Sequence, residues 1–326
     1  MNGKELILAT KPYAKEIRGK SWYYALSTLT LLLCAFAGAL FAPYFILKLI
    51  CGISSGLMSI RMFIIYHDYL HHSILQKSKF AQSIMTVFGL YMLTPVSIWK
   101  RSHDHHHNHN SKLFSASIGS YPIASKAKFL SMTPGERRTY LFVRHPLTIL
   151  FAYLFMFIIG MCVNSFLSAP KKHADSLLAV ILHLTASVLI FWFLGWQAWM
   201  CAMLIPFFMS CSFGAYLFYA QHNFPTVTFK SNSDWKYEIA ALESSSFMRM
   251  NKFMRWITAN IGYHHIHHLN SRIPFYRLPE TLAAIPQLQQ YKTTSLSPRD
   301  IRACMKLKVW DPERNKMITL RQLQSA

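Results

Sequence analysis

The sequence predicts an all-α integral membrane protein, a four-helix transmembrane bundle with a cytosolic helical cap that carries a histidine-rich site. Three observations predict it. Only 14% of the 326 residues are charged and 52% are hydrophobic, with a mean hydropathy of +0.21, whereas about a quarter of an average soluble domain is charged. Apolar runs of membrane-spanning length recur along the chain. Histidines gather in three boxes beside the ends of those runs and after them.

Six apolar stretches run over 23–42, 44–66, 80–98, 147–168, 177–195 and 198–219. Each is near the roughly 20 residues that a helix needs to cross the hydrocarbon core. Pro43 between the first two marks a tight turn. The loop 169–176 is short and polar, and Gly195 with Trp196 marks a break in the last long run. Beyond Pro225 the chain turns polar, so 226–326 is expected to form cytosolic helices and loops. No repeat or linker divides the chain. It reads as one domain over 1–326, with a core at 22–280 and a cytosolic tail at 281–326.

The histidine groups at 67–72, 103–109, 222 and 264–268 must lie on one face of the membrane if they share a site. Box one follows two apolar stretches and box two follows three. Stretch 80–98, diluted by Ser83, Thr94 and Pro95, is therefore expected to dip in or lie at the interface. By the same count two of the last three stretches cross, which leaves four crossings in all. The count does not say which of the three fails to cross.

The net charge is +21. Lys and Arg lie between or beyond the apolar runs, the pattern of positive charge on the cytoplasmic side rather than the basic stripe of a soluble nucleic-acid binder. Five of the six cysteines lie in apolar runs and none form C-x-x-C, so they read as small buried hydrophobes. The first twenty residues lack the ordered regions of a signal peptide, and the N terminus is expected to stay cytoplasmic.

Box one is His67-Asp68-Tyr69-Leu70-His71-His72. On a continuing helix His67 and His71 lie one turn apart, with His72 within reach. Arg61 lies two turns earlier, an ionisable group that must be paired or snorkel to the surface. Box two runs from His103 to His109 and fits H-x-x-H-H in one register, His103, His106 and His107. Box three, within Gly262-Tyr263-His264-His265-Ile266-His267-His268, again has one register, His264, His267 and His268. His222 ends the last apolar stretch.

Neutral imidazole is a good ligand for iron, zinc, copper and nickel. Positions i, i+3 and i+4 aim three rings at one point. Three boxes and His222 offer about nine ligands, too many for one tetrahedral ion and suited to two. Thirteen acidic residues in all exclude the carboxylate-rich di-iron bundle. Asp68 and Asp104 read as groups that orient imidazole N–H. His145, His173 and His183 read as surface or satisfied core histidines, and His105, His109 and His265 as outer or solvent-facing ones.

The three boxes, with Tyr66, Ser102, Gln221-His222-Asn223 and the segment Gly262–Leu278 around them, resemble those of the membrane fatty acid desaturases, over roughly 60–280. The resemblance implies a di-iron centre with ligands at His67, His71 or His72, His103, His106, His107, His222, His264, His267 and His268. It implies an enzyme, an O2-dependent fatty acyl desaturase acting on an acyl lipid, acyl-CoA or acyl carrier. No His-Pro-Gly-Gly motif of a fused cytochrome b5 is present, so the resemblance implies a separate donor, ferredoxin or cytochrome b5. The expected place is a bacterial inner membrane, crossed several times, with the boxes on the cytoplasmic side. Two alternatives compete. One is hydroxylation or ketolation of a lipid, alkane or carotenoid on the same scaffold, which the flank of box three disfavours. The other is a metal-binding transporter, disfavoured because the boxes follow helix ends rather than lying at midplane.

Overall fold

A computed structural model describes residues 3–113, 121–231 and 233–325. The molecule is mostly helical, and its two longest unbroken apolar helices come first. They are α1 (Arg18–Phe41) and α2 (Phe45–Leu70). The Ala42 N–H donates to the Gly38 carbonyl at the close of α1, Pro43 blocks further helix, and α2 returns alongside. Both are long and apolar enough to cross a membrane, as is the run Ala174–His222.

That run is not one rod. It comprises α5 (Ala174–Trp199), a π-helical turn Met200–Leu204 and α6 (Ile205–His222). Within α5, Gly195 has φ +81° and ψ 172°, a backbone state open to glycine and strained for other residues. The Trp199 Nε1–H donates to Ser187 Oγ at 2.6 Å. In a straight helix twelve residues span about 18 Å, so the chain must fold back at Gly195. The Phe45 and Trp196 rings are 6.0 Å apart, which puts this reversal at the same end as the 42–44 turn. The break expected at 195–196 is therefore a hairpin, with one leg on each side of it.

Small residues let the legs meet. Gly52 and Gly56 lie one turn apart on α2, both against the backbone at 201–206. A Cβ on Gly52 would collide with the Cys201 carbonyl oxygen, and one on Gly56 would sit 3.2 Å from Pro206 Cα. This is the small-xxx-small contact of membrane helices, where close backbone approach replaces a hydrophobic driving force.

The two remaining apolar stretches are irregular. Stretch 80–98 splits into α3 (Lys79–Tyr91) and α4 (Val96–Asn108), bent by 90°. Leu93 takes φ +58° at the bend, and the Thr94 carbonyl is held by the Tyr66 hydroxyl at 2.8 Å. Stretch 147–168 becomes Pro146–Leu150, a π-helical segment Tyr153–Val163 and Asn164–Ser168. Outward faces of α1 and α5 expose Leu31, Leu33, Leu184, Val188, Trp192 and Phe193, large apolar side chains that suit contact with lipid.

Arg61 is buried in α2. Its Nε–H donates to Thr28 Oγ1 at 3.1 Å, another N–H donates to the Trp256 carbonyl, and the guanidinium lies 4.5 Å from the Trp256 ring centroid. A ring face and a carbonyl, rather than the expected paired or snorkelling state, offset its burial.

Short strands after the long helices, and one before the 147–168 stretch, correct the all-helical expectation. Leu307–Asp311 pairs antiparallel with Lys316–Thr319 and parallel with Ala124–Ser125, and Phe247–Arg249 pairs with Thr293–Ser295. The tail is thus packed, with Val309 and Ile318 fully buried. These strands have only two to five residues, too short for periodicity to separate them from loop.

Gly52→Leu is expected to destabilise the protein by about 1–3 kcal/mol through overpacking, read as a lower thermal unfolding midpoint in detergent. Gly19→Ala, whose Cβ meets nothing within 4 Å, leaves the midpoint unchanged or slightly raised.

Candidate metal centre

Helix ends position every box. His67 lies in the last turn of α2, and His71 caps that helix through its N–H to the His67 carbonyl at 3.1 Å. The two rings stand one turn apart, both buried. His72 follows with φ +57° and lies exposed. Of the two box-one spacings only the three-residue one brings its rings together, because the helix stops at Leu70 and the left-handed residue turns out. Box two lies on α4 with His103, His106 and His107 buried on its inner face. His105 and His109 stack on each other, centroids 4.1 Å apart, outside the site. Box three forms a short helix, α7 (His264–Leu269), with its four histidines buried. His265 points away from the other three, and its Nε2–H donates to the Leu288 carbonyl at 3.3 Å.

Nine ring nitrogens converge in two groups. His67, His71, His103, His107 and His267 form one, and His106, His222, His264 and His268 the other, with all ligand atoms in each within 4.8 Å of one another. In the second group the Nε2 atoms make a closed ring. His106–His222 is 3.1 Å, His222–His264 2.9 Å, His264–His268 3.1 Å and His268–His106 3.2 Å. A square of such edges has its centre about 2.2 Å from each corner, close to the 2.0–2.1 Å of a zinc–imidazole bond. In the first group His67–His103 is 2.8 Å, His103–His107 3.2 Å and His107–His267 3.1 Å.

Polar groups behind the rings fix which nitrogen faces inward. His67 Nδ1–H donates to Asp68 Oδ1 at 3.2 Å, and Asp68 Oδ2 accepts the Phe275 N–H at 2.7 Å. His222 Nδ1–H donates to the Ser244 carbonyl at 3.0 Å. Each leaves an Nε2 lone pair directed at its group. Burial, and then the neighbouring imidazoles, hold His264, His267 and His268 well below the usual imidazole range, which favours the neutral form that binds a cation. Nine buried bases with converging ring nitrogens fit a metal.

Asp104 departs from its expected role. It pairs with Lys100 at 2.7 Å, both partly exposed, rather than with a ring of the site. His173 and His183 are satisfied core residues as expected, facing Ser97 Oγ at 2.8 Å and the Tyr153 hydroxyl respectively. Arg144 was beyond sequence reasoning. Fully buried, it donates to Asn223 Oδ1 and the Pro122 carbonyl, both at 2.7 Å. Asn223 in turn donates to the Cys304 carbonyl at 2.8 Å, tying the C-terminal segment to the residue after His222. Nothing in the sequence separates this arginine from others at helix ends.

An apolar cavity of about 340 Å³ lies against the centre. His67 and His103 of the first group and His264 of the second form its inner end, and Ile60, Phe63 and Met156 are among its walls.

The family model for fatty acid desaturase matches residues 39–298. The chain belongs to the fatty acid desaturase family. It is accordingly an oxidoreductase and a membrane protein. Among its relatives, the fatty acid desaturase of Bacillus subtilis (strain 168) is 28% identical over 276 residues, covering 83% of this chain and 77% of the relative. The sn-1 oleoyl-lipid 12-desaturase of Anabaena variabilis is 25% identical over 292 residues, covering 84% and 78%. The chloroplastic omega-6 fatty acid desaturase of Glycine max is 23% identical over 265 residues, covering 79% and 61%.

Asp68→Asn is expected to weaken metal retention in this desaturase about 10–100-fold, measured as metal per chain after challenge with a chelator. Asp104→Asn and His72→Ala leave retention unchanged, and His71→Ala lowers it.

Proposed function

We propose that this desaturase introduces a double bond into a fatty acyl chain at a centre of two iron ions, using O2. The observation that carries the reading is the meeting of two nitrogen groups with one apolar cavity. The family supplies the reaction class, and the chemistry of the donor set, nine imidazoles with no carboxylate among them, suits iron. The nine converging histidines are the proposed ligands. The relatives' acyl-lipid names favour an acyl chain in a lipid as substrate.

Iron, when bound, supplies the O2 chemistry that takes two hydrogens from adjacent methylenes, with two electrons and two protons from outside completing the reduction of O2 to two waters. The chain supplies the rest. Asp68 and the Ser244 carbonyl orient His67 and His222. Trp99 stacks on His103 with centroids 5.1 Å apart, and Phe218 sits 4.8 Å from His106, both lining the cavity where they exclude water. The apolar wall receives the alkyl chain and fixes which carbons face the centre. Electrons come from a separate ferredoxin or cytochrome b5.

In this reading four legs cross the bilayer, namely α1, α2 and the two legs of the Gly195 hairpin, while α3 with α4 and the segment 146–168 do not. The helical and stranded cap then lies in the cytoplasm of a bacterial cell, in keeping with the +21 charge.

The test is expression in a host lacking the product, with fatty acid analysis and metal analysis. About two irons per chain and new double bonds are expected. His264→Ala and His267→Ala each lower conversion at least about 100-fold and reduce bound iron, whereas His109→Ala does neither. Hydroxylated products without double bonds would overturn desaturation, and zinc in place of iron would overturn the centre.

A further inference from the structure

Helix α6 turns Ser210, Gly214, Leu217 and Gln221 toward the apolar cavity. Their spacing of four, three and four residues is one face of a helix. A glycine within a helix costs about 0.5–1 kcal/mol relative to alanine, and two structural reasons usually account for it. One is a left-handed backbone, yet among the described residues Gly195 is the glycine with positive φ. The other is close approach of a neighbour, as at Gly52 and Gly56. A Cβ on Gly214 would meet nothing within 4 Å. The open space beside it belongs to the cavity.

Gly214 also sits at a telling depth. It precedes His222 by eight residues, about 12 Å along the helix. An extended chain advances about 1.2 Å per bond, so a chain lying along α6 reaches Gly214 about ten carbons beyond the centre. The cavity continues past it to Ser210 and Ile60. A side chain here would narrow the passage midway and leave the centre untouched.

We propose that Gly214 is a specificity-determining residue that sets the length of acyl chain the cavity admits. The proposal rests on the acyl reading given above. Its test is the parent protein with Gly214→Ala, Gly214→Val and Gly214→Leu, expressed in a host supplied with 14-, 16- and 18-carbon fatty acids, saturated and monounsaturated, and scored for newly formed double bonds. Newly unsaturated product from each chain length and iron per chain are measured. The expected result is a stepwise fall in the ratio of 18-carbon to 14-carbon product, about threefold for Ala and tenfold or more for Leu, with iron content at the parent level in the Ala variant. A ratio in the Leu and Val variants unchanged or raised, whether total conversion is kept or lost, overturns the role of Gly214 alone. No newly formed double bond from the parent with any chain overturns the acyl reading, and this inference with it.

Discussion

Nine imidazoles from four places in the chain point their lone pairs at two small volumes, and the rest of the molecule is arranged around that constraint. Ring nitrogens 2.8–3.2 Å apart gain little from one another and have lost water, an arrangement that suits a bound cation. The helices must also end at one level. α2, α4 and α6 each bring histidines to their C-terminal ends, and α7 closes over them.

Among the described residues no carboxylate joins either histidine group, and the buried Asp68 stands behind His67, one hydrogen bond removed from the converging nitrogens. Arg61 and Arg144, both buried and with no carboxylate partner among the described residues, are met by carbonyls, a hydroxyl, a side-chain amide and ring faces. A chain with thirteen acidic residues thus spends few of them inside, and dipoles carry the burden.

The boxes were legible because the convergence of side chains from one helix imposes spacing. His103, His106 and His107 must follow i, i+3, i+4, and the sequence offers one register for each of boxes two and three. Box one was ambiguous because spacing does not show where a helix stops. α2 ends at Leu70, which separates His71 from His72. Asp68 and Asp104 each follow a box histidine by one residue, yet one is buried behind its ring and the other faces Lys100, since the helical face decides and adjacency does not. Gly195 was visible as a break, but only the Trp199–Ser187 contact shows that the chain reverses there. Arg144, the short strands of the tail and the π-helical run at 153–163 left no periodic trace.

The two hairpin turns at 42–44 and Gly195 share the end of the bundle remote from the histidines, and neither has more than three residues outside helix. A protease working from that end would find no stretch of extended chain to grip. With four legs crossing as proposed, nearly all the sequence that an antibody, a cleaving enzyme or a fused reporter can reach lies on the other side, together with the histidine groups.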